Sequence, residues 1–136
     1  MDINYLRRQH KEVNEVLADL KNRLEPYDKI PENAFALTML IANIAGKLKI
    51  HLSSEDKYLY PGLLKNPDPK VQDTAQMFIE EMGDLAESFD IYKSKYMNAK
   101  NIRNSPEDFV SETKTIIKAI LKRIEKEESE LYTMLQ

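Results

Sequence analysis

Four stretches of this chain place apolar side chains every three or four residues, and proline-bearing breaks separate them. The first stripe runs through Ile3, Leu6, His10, Val13, Leu17, Leu20 and Leu24 and stops at Pro26. The second takes in Leu37, Ile41, Ile44, Leu48, His51, Leu52, Glu55 and Leu59, and ends at Pro61-Gly62. The third is Val71, Ala75, Phe78, Met82, Leu85, Phe89, Tyr92 and Tyr96. The fourth is Thr113, Ile117, Ile120, Ile124, Glu127, Leu131 and Met134, with Arg123 at its flank. A period of 3.6 gives a helix one apolar face, and such a face is buried only against others like it. The spacing therefore predicts an all-α fold, an antiparallel up-down-up-down four-helix bundle.

Boundary residues agree. Pro31 suits a first helical turn, and Asn66-Pro67-Asp68-Pro69 reads as a connection. Ser105-Pro106-Glu107-Asp108 reads as an N-cap, a first-turn proline and acids at the positive end of the helix dipole. Nothing in the 136 residues looks like a linker, so one domain spanning 1–136 is expected. With no cysteine, disulfides, zinc–thiolate sites and thiol nucleophiles are excluded. Acidic and basic residues, 23 and 20, are mixed along the chain for a net charge of −3, which argues against a nucleic-acid surface. The opening MDINYLRRQHKEVNEVL has no apolar signal core, and no apolar run is read as reaching the ~18 residues of a membrane span. A cytoplasmic protein with no membrane partner is expected.

Antiparallel neighbours allow residues to be matched by level, since those at one height lie symmetrically about the connecting loop. His10 and His51 are equidistant from Ile30-Pro31, His51 and Met82 from Asn66-Pro67, and Met82 and Arg123 from Ile102-Arg103. One layer should therefore hold His10, His51, Met82 and Arg123, with Glu55 and Glu127 one turn further on. His51 and Glu55, four apart, share the apolar face of their helix. A buried carboxylate without a partner costs several kcal/mol or holds a proton. Two facing carboxylates need a cation, and imidazole with carboxylate is a ligand mix suited to iron, manganese or zinc. His10, His51, Glu55 and Glu127 are thus candidate metal ligands. The blander readings are a hydrogen-bonded histidine, a core Met82, a solvent-facing Glu127 and an Arg123 whose head reaches water. The chain's only two histidines falling in one layer beside two carboxylates favours the metal.

Two segments repeat one phrase: HLSSEDKYLY at 51–60 and RIEKEESELY at 123–132. Extended to 51–64 and 123–136, they share Glu55/Glu127, Leu59/Leu131, Tyr60/Tyr132 and Leu63/Leu135, but His51 is matched by Arg123. The whole pattern, LRRQHKEV, HLSSEDKYLYP and RIEKEESELY, resembles the hemerythrin-like (HHE cation-binding) family over essentially the full chain. The resemblance implies a four-helix bundle holding a non-haem iron pair bridged by two carboxylates and otherwise bound by histidines. It also implies binding or sensing of dioxygen or nitric oxide, iron storage or sensing, or repair of iron centres. On it, His10, His51, Glu55 and Glu127 fall on ligand positions, with Glu128 as another register for the last. Met82 and Arg123 stand where the family would supply histidines.

Two readings of that exchange follow. The site has shrunk to one metal, with Arg123 offsetting the charge of a lost second ion. Alternatively the guanidinium replaces metal altogether, pairing bidentately with Glu127 and reaching across the bundle to Glu55, in a metal-free interaction or regulatory module. Glu80, Glu81 or Asp84 from the third helix offer a third possibility, a rebuilt carboxylate-rich pair, so that one or two iron ions are expected. Haem held by two histidines, or by histidine and Met82, is a further alternative. No nucleophile–base arrangement or phosphate-cradling glycine loop marks an enzyme.

Overall fold

A computed structural model describes residues 3–135; Met1, Asp2 and Gln136, the ends of the expected 1–136 domain, lie outside it. Four long helices dominate: α1 (Ile3–Asn22), α2 (Ala34–Tyr58), α4 (Pro69–Tyr96) and α6 (Pro106–Lys126). Two short helices, α3 (Tyr60–Leu64) and α5 (Ala99–Asn104), lie in the connections. The long helices pack in a ring, α1 on α2 and α6, and α4 on α2 and α6, with no strand among the described residues. This is the antiparallel bundle the stripes predict.

The helix ends follow local chemistry. Asp68 caps α4, its carboxylate accepting from the Lys70 amide at 2.9 Å, with Pro69 in the first turn. Ser105 sits at the N-cap of α6 as expected, but its side chain makes no cap hydrogen bond. Pro31 precedes α2 by a turn rather than opening it, and the third connection contains α5, capped by Asn98 on the Lys100 amide at 3.0 Å. The fourth stripe is also not one uniform helix. After Lys126 the chain widens into a π turn, Glu127–Leu131, and then tightens into a 3₁₀ turn, Tyr132–Leu135.

One expectation from the sequence needs correcting. The helical stretch Ala34–Leu64 contains an 18-residue window of mean hydropathy 1.3, long and apolar enough to cross a membrane by length and composition. Leu37, Ile41 and Ile44 face the core, but Phe35 and Met39 leave its outward side apolar too, 70% and 56% exposed. Single polar residues, Thr38, Asn43 and Lys47, interrupt the stretch and hide this from a search for an unbroken apolar run.

Two apolar clusters make up the core. The larger joins Val13, Leu17, Ile41, Ile44, Phe89, Ile117 and Ile120 with their neighbours; the smaller joins Leu6, Leu59, Tyr60, Leu63, Phe78, Leu131 and Tyr132. A polar layer lies between them: His10, His51, Glu55, Arg123 and Glu127, all buried.

Candidate metal centre

The polar layer draws on three helices and the π turn. His10 comes from α1, His51 and Glu55 from consecutive turns of α2, Arg123 from the last turn of α6, and Glu127 from the first residue of the π turn. One donor atom from each of His10, His51, Glu55 and Glu127 lies within 4.8 Å of the others. His10 Nε2 is 2.9 Å from His51 Nε2 and 2.8 Å from Glu127 Oε1. His51 Nε2 is 3.3 Å from the same carboxylate oxygen and 3.5 Å from Glu55 Oε2. Glu127, 1% exposed, is the inward-facing acid; Glu128 points to the surface, 3.8 Å from His10 Nδ1 and from Arg7.

His51 is aimed by a side-chain relay absent from the sequence reading. Its Nδ1 meets Gln9 Oε1 at 2.8 Å, the Gln9 amide donates to Ser54 Oγ at 3.0 Å, and Ser54 donates to the Ile50 carbonyl at 2.9 Å. The Gln9 oxygen only accepts, so Nδ1 keeps a hydrogen, and the proton that the ring gives up to a metal is the one on Nε2, facing the centre.

Arg123 is 7% exposed and is held in the layer through its Nε and Nη2. Its Nε donates to Glu127 Oε2 at 2.7 Å, and its Nη2 to the Phe78 carbonyl at 2.9 Å and Tyr60 Oη at 3.1 Å. The Phe78 ring lies under the guanidinium, 4.6 Å from centroid to Cζ. Three expectations change here. The ion pair with Glu127 uses one carboxylate oxygen, and across the bundle the guanidinium reaches Tyr60, not Glu55. Helix α4 rebuilds no carboxylate pair: Glu80 and Asp84 are exposed, and Glu81, 3.7 Å from Arg123 Nη1, bonds Lys126 at 2.7 Å on the surface. Met82, like His51 and Arg123, lines a cavity of about 450 Å³, and Phe78, one turn before it, is the α4 residue that closes on the guanidinium.

Tyr132, wholly buried, was also missed. Its hydroxyl lies 3.0 Å from Glu55 Oε2, 3.1 Å from His10 Nε2 and 3.3 Å from Glu127 Oε1. Its ring stacks on His10, centroids 5.3 Å apart and planes 11° from parallel. In a regular α-helix, residues five apart point well away from each other. The wider π turn brings Tyr132 back onto the face of Glu127. The signal was present in the repeat, where glutamate and tyrosine stand five apart in both copies and α2 breaks at Leu59 just before Tyr60.

The electrostatics of the layer turn on its two buried carboxylates. Burial pushes Glu127 up, but hydrogen bonds from His10 and His51 and the Arg123 charge outweigh it and hold the carboxyl well below its usual range. Burial raises Glu55, and the hydrogen bond from His51 only partly offsets this. His51 is pulled down by burial but carried up to about 9 by its hydrogen bonds to Glu127 and Glu55. Two buried acids, one guanidinium and a proton on imidazole close the charge; a divalent ion in place of that proton leaves one unit of positive charge over. Glu55 Oε1 and His10 Nδ1 are buried without a hydrogen-bond partner, so the proton-closed network leaves polar capacity unused.

Comparison with known families agrees with this layer. The family model described as Hemerythrin HHE cation binding domain matches residues 1–135. No curated protein and no solved structure matches the chain.

Proposed function

This chain belongs to the hemerythrin HHE cation-binding family, and we propose that it binds one non-haem iron ion through His10, His51, Glu55 and Glu127 and uses it to bind or sense dioxygen or nitric oxide. The observation that carries the reading is convergence. Two imidazole Nε2 atoms and two carboxylates from separate elements meet in a layer sealed by apolar clusters on both sides. The donor set suits the ion: neutral imidazole and carboxylate are ligands for iron, and Gln9 fixes the tautomer that His51 needs. When bound, the ion supplies positive charge to Glu55 and Glu127 and a redox-active centre.

The protein's own residues set the number of ions. The second half of a paired site would fall on the α4 and α6 side, where Arg123 places a fixed positive charge against Glu127 and Met82 offers only a thioether. Arg123 thus neutralises the acid a second ion would have served. The cavity beside it, lined by Leu48, Met82, Phe89, Ile124 and others, reaches His51 and Glu127 and has room for a diatomic gas.

The same ion pair favours a second reading, a metal-free interaction or regulatory module. Arg123 and a proton on imidazole already satisfy Glu127. Haem lacks comparable support: two Nε2 atoms 2.9 Å apart leave no space for a macrocycle between them.

Metal analysis of protein purified from iron-supplemented growth separates the readings. About one iron per chain, lost in both His10→Ala and His51→Ala, is the expected result. Iron, manganese and zinc all absent after careful reconstitution would select the metal-free module.

A further inference from the structure

Resting on the one-metal reading, we propose that Tyr132 is a fifth ligand, so that the ion is held by two imidazoles, two carboxylates and a phenolate. Five atoms define the centre: His10 Nε2, His51 Nε2, Glu55 Oε2, Glu127 Oε1 and Tyr132 Oη. Seven pairs among them lie between 2.8 and 3.5 Å, and Tyr132 Oη belongs to three of these, at 3.0, 3.1 and 3.3 Å. An ion with nitrogen and oxygen bonds of roughly 2.0–2.2 Å and six-fold coordination places adjacent donors about 3 Å apart. The phenol oxygen is therefore spaced from its neighbours as a ligand would be.

The contacts that are missing fit the same geometry. Among the described residues, His10 forms no ion pair with Glu55, and His51 no hydrogen bond with Tyr132. An octahedron puts two such pairs at opposite corners, with Glu127 beside His10, His51 and Tyr132; the Glu55 and Glu127 donors lie within 4.8 Å of each other. Hydrogen bonding alone explains the placement less well. The hydroxyl has a single hydrogen for two carboxylates, Glu55 and Glu127, so with both acids ionised one of those close oxygen contacts goes without a proton.

Local backbone serves this placement. The π turn Glu127–Leu131 follows the regular helix α6 and leads into the 3₁₀ turn Tyr132–Leu135, and its effect is to put Glu127 and Tyr132 on one side. The equivalent Tyr60 of the repeat is instead committed to Arg123. The repeat thus gives one tyrosine to the guanidinium and one to the donor cluster.

On coordination the O–H bond breaks, its proton leaves to solvent, and the oxygen's electron pair forms the bond to the ion. The oxidation state of the ion does not change in that step. A phenolate on ferric iron has a visible charge-transfer band, and phenolate vibrations are enhanced when that band is excited; imidazole and carboxylate ligands give neither.

The test is spectroscopic. Wild-type apoprotein is reconstituted with ferrous iron, oxidised to the ferric state, and examined by visible absorption and resonance Raman. The expected result is a phenolate band whose enhanced modes disappear in Tyr132→Phe, while that variant still takes up iron. Tyr92→Phe, whose buried hydroxyl bonds Thr113 at 2.7 Å in the other core cluster, keeps the band. Ferric wild-type protein with one iron per chain and no phenolate modes overturns the Tyr132 assignment but leaves the His/Glu site standing. A band that survives in Tyr132→Phe overturns it too. Failure of the wild type to take up any iron removes the site and its fifth ligand together. If Tyr132→Phe does not fold, the wild-type Raman spectrum decides alone.

Discussion

Arg123 and Glu127, one helical turn apart and both buried, meet at 2.7 Å between Nε and Oε2. The pair answers what became of the second histidine-bearing half of the site. A guanidinium cannot give up its proton in a protein, so the charge it brings is permanent. Its Nη2 hydrogens go to the Phe78 carbonyl and Tyr60, which tie α6 to α4 and to the start of α3. Removing one partner of a buried pair strands the other. Arg123→Met is expected to destabilise the metal-free protein by about 3–5 kcal/mol, measured by urea denaturation. Arg123→Lys should recover little of this, because an ammonium lacks the fork that reaches Glu127 and Phe78 together. Iron added to Arg123→Met should restore part of the loss by resupplying charge to Glu127.

Gln9 offers a milder perturbation. It touches no carboxylate of the cluster, yet its carbonyl oxygen holds His51 Nδ1 at 2.8 Å. Replacing it with leucine keeps the bulk at a position 7% exposed but frees the ring to rotate and to change tautomer. Iron affinity is expected to fall by about 10–100-fold, the usual cost of losing an orienting partner. Circular dichroism should show an unchanged helix content. Affinity equal to wild type in a folded Gln9→Leu variant would mean that His51 does not depend on the relay.

The bundle was legible in the sequence because burial of helical stripes leaves few alternatives, and His10, His51, Glu55 and Glu127 were legible because polar residues stood on those stripes. What lay hidden depends on interactions that period and spacing do not encode. Gln9 sits beside His10 and reads as an ordinary polar residue until α2 places Ser54 and His51 opposite it. Tyr132 reads as out of phase with Glu127 on an α-helix, and only the π turn aligns them. Arg123 was expected to cross to Glu55; Tyr132 donates to that carboxylate instead, and Tyr60 takes the guanidinium.

The shifted groups make stability depend on pH in a definite direction. His51 is raised to about 9, above an unfolded value of ~6.5. Its contribution is fully present below ~6.5 and is lost as pH rises through about 9. Glu127 is lowered, so its contribution is present above the ordinary carboxylate value and is lost as pH falls through its folded value. Glu55 is raised and has the opposite sign, costing stability once it must ionise. The metal-free protein should therefore lose denaturation free energy between neutral pH and about pH 9.5, and His51→Gln should lose less over the same interval. Bound metal takes the place of the His51 proton, so the loaded protein should not show this decline, and uptake near neutral pH should release protons. Identical pH profiles with and without metal would exclude His51 from the ligand set.

Restoring nitrogen donors tests whether Arg123 stands in a vacated ligand position. Met82 and Arg123 line the same cavity as His51 and Glu127, one from α4 and one from α6. Histidine at both positions would present two imidazoles to the far side of Glu127, opposite His10. The double variant Met82→His/Arg123→His is expected to raise iron from about one toward two per chain. It should also introduce the near-ultraviolet absorption of a bridged ferric pair. Arg123→His alone should do less, because it removes the cation from Glu127 and leaves the Phe78 carbonyl and Tyr60 without their donor. Its metal-free form should therefore be less stable than the wild type. A folded double variant with unchanged iron content would show that Arg123 marks no lost ligand. The repeated segments would then share only their way of breaking a helix before a buried tyrosine.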